Sequence, residues 1–148
     1  MPEKYRIGVK DILFSWSGNP DTSIDTFVWS HSNAWLNQHI FRVIPNLQNE
    51  RSLVLLMLKH MKPVFAEIAR NKQTTGLGHV TVADLKRLRV VKPNALVLQK
   101  WNEIVDPLIE RAFIVEQQAQ TLTILRDTLL PRLISGQLRL PEALDTDA

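Results

Sequence analysis

Apolar positions in the last third of the chain recur at helical spacing. Leu108, Val115, Leu122 and Leu129 stand seven residues apart, and Ala112, Ala119, Arg126 and Leu133 follow each of them by four. Seven of these eight positions are apolar, which makes a stripe along one face of a helix. Asp106 and Pro107 read as its start, a side chain able to cap followed by proline at the first helical position. Gly136 reads as its stop. At about 1.5 Å per residue the stretch Leu108–Leu133 would run roughly 40 Å. So long a helix overhangs any globular body beside it, and its stripe then requires a partner helix. Pro131 deletes the bond to the Asp127 carbonyl, so the helix either kinks in its last turn or ends near Leu129 and restarts.

The first 46 residues carry a different pattern. Ile12, Phe14 and Trp16 alternate with Leu13, Ser15 and Ser17, a strand with one bulky face. Ser17 to Asp21 form a turn cluster. Ile24–Trp29 and Gln38–Ile44 read as further strands, the latter stopped by Pro45 and Asn46. Beyond them the period changes. Glu50–Met61 reads as a helix, and Pro63 restarts a second one over Val64–Arg70, with Val64, Phe65, Ile68 and Ala69 on its apolar side. Lys72–Gly78 is a polar, glycine-bearing loop. Thr81 and Asp84 match a capping box that opens a short helix. A strand over Leu88–Val91 follows, ended by Lys92 and Pro93. Asn94–Val105 reads as a short helix leading into the long one.

Charge changes this picture more than composition does. The net charge is +3, but residues 1–58 are neutral, residues 59–100 carry +7 and residues 101–148 carry −4. The middle block, from Lys59 to Lys100, would attract a polyanion; the bland alternative is a solvated basic surface. The chain has no cysteine, so disulfides and thiolate metal sites are excluded. No apolar run approaches the roughly 18 residues of a membrane span, and the N-terminus lacks the pattern of a signal peptide. The expected setting is cytoplasmic, without membrane contact.

Catalytic patterns fail one by one. His31, His39, His60 and His79 have no partner at metal-ligand spacing. Ser15-Trp16-Ser17-Gly18 lacks the first glycine of a nucleophile elbow. Pro20-Asp21 and the distant Asp84-Leu85-Lys86 imitate the carboxylates and lysine of an Mg²⁺ nuclease, but the second half falls on a capped helix. Asn19-Pro20-Asp21-Thr22 lacks the second proline and the aromatic residue of an adenine methyltransferase motif. No catalytic residue and no metal ligand is therefore expected. Charge, polar loops and an association surface remain, which favours a binding module.

Several stretches, taken in order, resemble the C-terminal half of a specificity (S) subunit of type I restriction–modification systems. Lys10-Asp11-Ile12-Leu13-Phe14-Ser15-Trp16-Ser17-Gly18 is similar to the family's Gly-Asp-Ile-Leu strand, with Lys10 in place of the glycine. Leu36-Asn37-Gln38-His39-Ile40-Phe41-Arg42-Val43 resembles its Asn-Gln strand. Gly76-Leu77-Gly78-His79-Val80, continuing through Leu85 to Pro93, resembles the segment that closes a target recognition domain. Leu129-Leu130-Pro131-Arg132-Leu133-Ile134-Ser135-Gly136-Gln137-Leu138 resembles the end of the family's long conserved helix. The resemblance implies a subunit without a catalytic site, carrying recognition domains that each read one half of a split DNA target. Long helices packed antiparallel would hold those domains apart. S-adenosylmethionine, ATP and Mg²⁺ would belong to the methyltransferase and restriction subunits, and this chain would hold no cofactor. With one recognition domain and one long helix, the chain looks like a half-subunit that pairs with itself or with another S fragment. Its recognition domain looks short at the N-terminus, which leaves a truncated remnant as an alternative.

The expected fold is α+β. A small mixed strand and helix recognition domain occupies residues 1–93. A short helix and the long coiled-coil spacer helix occupy residues 94–136, and an acidic tail occupies residues 137–148. Lys72, Gln73, Thr74, Thr75 and His79 are the expected DNA-facing set, with Lys86, Arg87 and Arg89 as electrostatic support; the bland alternative for the loop is an ordinary solvated connection. Asn37 and Gln38 are expected instead to hydrogen-bond within the fold. Leu108, Ala112, Val115, Ala119, Leu122, Leu129 and Leu133 form the expected association surface. Arg126, on the same seam, would either snorkel or meet Glu110 or Glu116 of the partner helix. The competing readings are a protein-interaction module without DNA contact and a small Mg²⁺ nuclease.

Overall fold

The computed structural model describes residues 2–139, so most of the expected acidic tail over 137–148 lies outside the described residues. The chain divides into two units, Met1–Phe113 and Ile114–Ala148. The first unit is built around strand β2 (Ile12–Ser15). It lies between β4 (Asp25–Val28) and β6 (Ile40–Val43), antiparallel to both, with Phe14 opposite Thr26 on one side and Phe41 on the other. Ile12, Leu13 and Phe14 are all buried. The expected alternation of a bulky and a polar face is therefore absent. A central strand covered on both sides has no wet face to make polar.

Two further pairs consist of two-residue strands, too short to leave a periodic signal. β1 (Arg6–Ile7) pairs with β5 (Ala34–Trp35), and β3 (Ser17–Gly18) pairs with β7 (Gly78–His79). The start of the expected turn cluster is thus a strand. Val80 N–H, just past β7, donates to the Trp16 carbonyl at 2.8 Å.

Helices α1 (Arg51–His60) and α2 (Lys62–Arg70) lie where the sequence places them, with Pro63 in the first turn of α2. Phe65, Ala66 and Ala69 are the buried side of α2, whereas Val64 faces outward. Phe65 meets Phe14 edge to face at 4.9 Å between centroids, a favoured aromatic geometry. Phe14, Ile24, Phe65, Ala69 and Val80 form the buried cluster. Helix α3 (Val82–Arg87) opens on the expected capping box, with Thr81 and Asp84 bonded reciprocally. The expected strand at Leu88–Val91 does not form. No neighbouring strand pairs with it among the described residues, and Val91 is 91% exposed.

Helix α4 (Ala95–Ile134) corrects the reading of the C-terminal third. There is one helix rather than a short one followed by a long one. Its start is Asn94, whose Oδ1 accepts the Val97 N–H at 2.9 Å, the geometry of an N-cap. Asp106 does not cap, because its Oδ1 accepts from the Ser52 hydroxyl of α1. Pro107 and Pro131 both lie within the helix. Each removes a backbone donor, leaving the carbonyls of Glu103 and Asp127 without their usual partners. Those four residues are exposed, so water can serve the freed groups. Within the first unit α4 lays Leu98, Asn102, Val105, Ile109 and Phe113 inward, at steps of four and three residues. In the second unit the helix ends as expected near Gly136, which has φ 73°.

Lys10 also adopts positive φ, 72°. It occupies the position where the resembling motif has glycine, the residue for which that conformation is cheapest. The side chain offsets part of the cost. Its ammonium reaches both Glu110 carboxylate oxygens, at 2.7 and 2.8 Å, and lies 5.4 Å from the Phe113 ring centre.

Candidate nucleic-acid interface

The expected DNA-facing residues gather on a hairpin between α2 and α3. Lys72 and Gln73 N–H groups still bond back to Ala69 and Arg70, as the last turn of α2 unwinds. Thr74 and Leu77 then exchange backbone hydrogen bonds, both 3.1 Å, which closes a tight reversal over Thr75 and Gly76. The returning arm becomes β7. Gly78 is buried there, and a Cβ on it would lie 2.3 Å from the Ala69 carbonyl oxygen. Only glycine lets this arm approach α2 so closely.

Gln73, Thr74 and Thr75 are exposed on the hairpin, and His79 is half-buried, opposite Ser17. Lys72 is placed differently. Its ammonium donates to Asp84 Oδ2, the same oxygen that accepts the Thr81 N–H at 2.8 Å and the Thr81 hydroxyl at 2.6 Å. Asp84 is 7% exposed. The bonds from Lys72 and Thr81 outweigh burial and hold its carboxyl well below the usual carboxylate range. A carboxylate so engaged is not presented to a metal ion. Asp21, the other half of the nuclease-like pattern, pairs with Arg70 at 2.6 Å. Among the described residues no three His, Asp or Glu side chains group closely enough to hold a metal.

Lys86, Arg87 and Arg89, at and beyond the end of α3, are exposed and make no ion pair with a described residue. Four of the six other cations of the basic block are less available than the linear charge implies. Lys62 pairs with Asp25 at 2.6 Å, Arg70 with Asp21, Lys72 with Asp84 and Lys92 with buried Glu50. Three of those four acids come from the neutral first block, so folding moves negative charge onto the basic segment. Asp25 shows the balance. Burial raises its carboxyl, but the bonds from Lys62 and the Thr26 N–H, with the charges of Lys62 and Lys59, bring it below its ordinary value.

One feature escaped the sequence. A groove of about 650 Å³ is lined by Lys4, Tyr5, Asn37, Gln38, Phe41 and Arg42, among others. Its walls are brought together by the β1–β5 pair and β6, and the two-residue strands gave no warning of that pairing. Asn37 is partly committed inside the fold, accepting the His39 N–H at 2.8 Å, and Gln38 bonds the His39 ring at 3.1 Å.

In the second unit the expected seam is open. Val115, Leu122 and Leu129 are 46%, 65% and 40% exposed; Ala119 is exposed and Leu133 half-buried. Leu108 and Ala112, on the same phase but within the first unit, are exposed too. Arg126 donates to its neighbour Asp127 at 2.8 Å.

The pattern that defines the type I restriction modification DNA specificity domain matches residues 2–123, and the chain belongs to that family. It is also similar to the type I restriction enzyme MjaIX specificity subunit of Methanocaldococcus jannaschii, at 28% identity over 104 residues, 70% of this chain and 24% of that protein. The chain thus spans about a quarter of the length of the curated relative it matches. No solved structure matches. Among the described residues, no helix is long and apolar enough to cross a membrane.

Proposed function

We propose that this chain is a non-catalytic DNA-specificity subunit or half-subunit of a type I restriction–modification system, binding one half of a bipartite duplex target. The observation that carries the reading is the exposed hairpin Gln73–Leu77 followed by the unpaired cations Lys86, Arg87 and Arg89, within a chain of the specificity family. Phosphate contacts from the cations set register, and polar side chains on the hairpin discriminate bases. The protein relative bears the name of a specificity subunit, which supports assembly with methyltransferase and restriction subunits. Those subunits carry S-adenosylmethionine, ATP and Mg²⁺, and this chain scaffolds them.

The open stripe supports the second half of the reading. Ile114–Ile134 measures roughly 30 Å at 1.5 Å per residue, comparable with one turn of B-DNA at about 34 Å. Paired antiparallel with a second copy or another S fragment, it separates two recognition domains by an unread gap.

The test is a gel shift with methyltransferase subunits supplied, repeated across salt concentrations. Binding should weaken steeply with salt. Replacing Lys86, Arg87 and Arg89 together by glutamine should lower the slope of log affinity against log salt by about 2–3. An affinity that ignores salt, or a triple variant with an unchanged slope, refutes the assignment of these cations.

A further inference from the structure

The tip of the 72–79 hairpin holds two residues, Thr75 and Leu77, where local physics disfavours them. Thr75 and Gly76 have φ of 53° and 86°. Positive φ at both central positions marks the hairpin turn that ordinarily takes Asn, Asp or Gly. Gly76 suits it. Thr75 does not, because a β-branched side chain crowds the backbone in the left-handed region. Two positions on, Leu77 is 59% exposed. The threonine hydroxyl donates to the Thr74 carbonyl at 2.7 Å, which leaves the oxygen able to accept.

The stalk beneath this tip is fixed. Lys72 is tied to buried Asp84, Asp84 to Thr81, and Gly78 is packed on the Ala69 backbone while paired with Gly18. A strained polar residue and an exposed leucine held out on a clamped stalk are features that folding alone would not retain.

We propose that Thr75 and Leu77 are specificity-determining residues that meet base edges, and that Lys72 positions them through Asp84 without touching DNA. The chemistry is a hydroxyl accepting from the exocyclic amino group of adenine or cytosine and an apolar side chain against a thymine methyl. This assignment rests on the DNA-binding reading above.

The experiment uses the full chain with methyltransferase subunits and a library of randomised duplex DNA, from which preferred sequences are selected. The affinity ratio between the selected duplex and random duplex is then measured for wild type, Thr75→Gly, Leu77→Ala, Lys72→Met and Lys72→Arg. Thr75→Gly should melt no lower than wild type, since glycine accepts the turn, yet its ratio should fall roughly fivefold or more. Leu77→Ala should fall likewise. Lys72→Met should lose discrimination with the salt slope of wild type, and Lys72→Arg, which can still pair with Asp84, should restore it. An unchanged ratio in both Thr75→Gly and Leu77→Ala overturns the assignment of the tip. A slope lowered by about 1 in Lys72→Met makes Lys72 a phosphate contact and overturns its positioning role. Wild type that enriches no sequence and shifts no duplex overturns the DNA-binding reading itself, and the assignment with it.

Discussion

The unit Met1–Phe113 closes its own core. Phe14, Ile24, Phe65, Ala69 and Val80 are each at most 1% exposed. In the unit Ile114–Ala148 no described residue is buried, and Leu122, Ile124 and Ile134 are 65%, 66% and 79% exposed. Both units draw on α4, and apolar residues recur at helical spacing on both stretches. The difference is what lies within reach. Leu98 and Phe113 find the first unit's own residues, while Leu122 and Leu129 find solvent. Burial of apolar area drives association as it drives folding, and under the proposed pairing a second copy supplies it for the second unit. The first unit's stability should therefore be a property of the chain, and the second's a property of its concentration.

The largest effect should come from the closed core. Phe65→Ala removes the ring packed on Phe14 and leaves a cavity between β2 and α2, at a cost of about 3–5 kcal/mol. Urea unfolding should show this loss equally at low and high protein concentration. A loss that shrinks as concentration rises would mean that the core is completed by association, and the contrast between the units would fail.

A smaller effect, of about 2–3 kcal/mol, is expected for Asp84→Asn, which removes the charge that holds Lys72 and weakens the cap of α3. The sign with pH follows from the direction of the shift. The folded carboxyl titrates below its unfolded value of 3.8. Its contribution is complete above that value and fades as pH falls below it. Wild type and Asp84→Asn should differ fully at pH 7 and less at pH 3, as read by chemical unfolding at each pH. A gap that widens in acid would contradict the bonding around Asp84.

Legibility in the sequence followed the length of each pattern. α1, α2 and the α3 capping box could be read because ten residues of period, a proline in the first turn or a four-residue cap is a sufficient local signal. β1, β3, β5 and β7 could not, since two residues have no period and their pairing is a product of tertiary contact. The start of α4 was misplaced for a related reason. Asp106 and Pro107 satisfy a start signal locally, but Ser52 engages the Asp106 carboxylate from another helix, and Asn94 had already capped. The DNA-facing candidates were found as residue types on a loop. What could not be read was their division into clamp and tip, because Lys72 and Thr75 are alike as polar residues and differ only in what folding puts beside them. The linear charge map was incomplete for a similar reason, as Asp21, Asp25 and Glu50 return to neutralise part of the basic block.

The smallest effect on the single chain should accompany the most complete loss of assembly. Leu122 is 65% exposed, so Leu122→Asp removes little buried area from the monomer and should change its stability by no more than about 0.5 kcal/mol. In a paired stripe the same position lies between two helices, where an unpartnered carboxylate is desolvated. Sedimentation at tens of micromolar should show wild type self-associating and Leu122→Asp monomeric, with matching circular dichroism at high dilution. Melting of the wild type should rise with concentration, and that of the variant should not. Wild type that stays monomeric across this range would refute the proposed pairing of the stripe with a second copy.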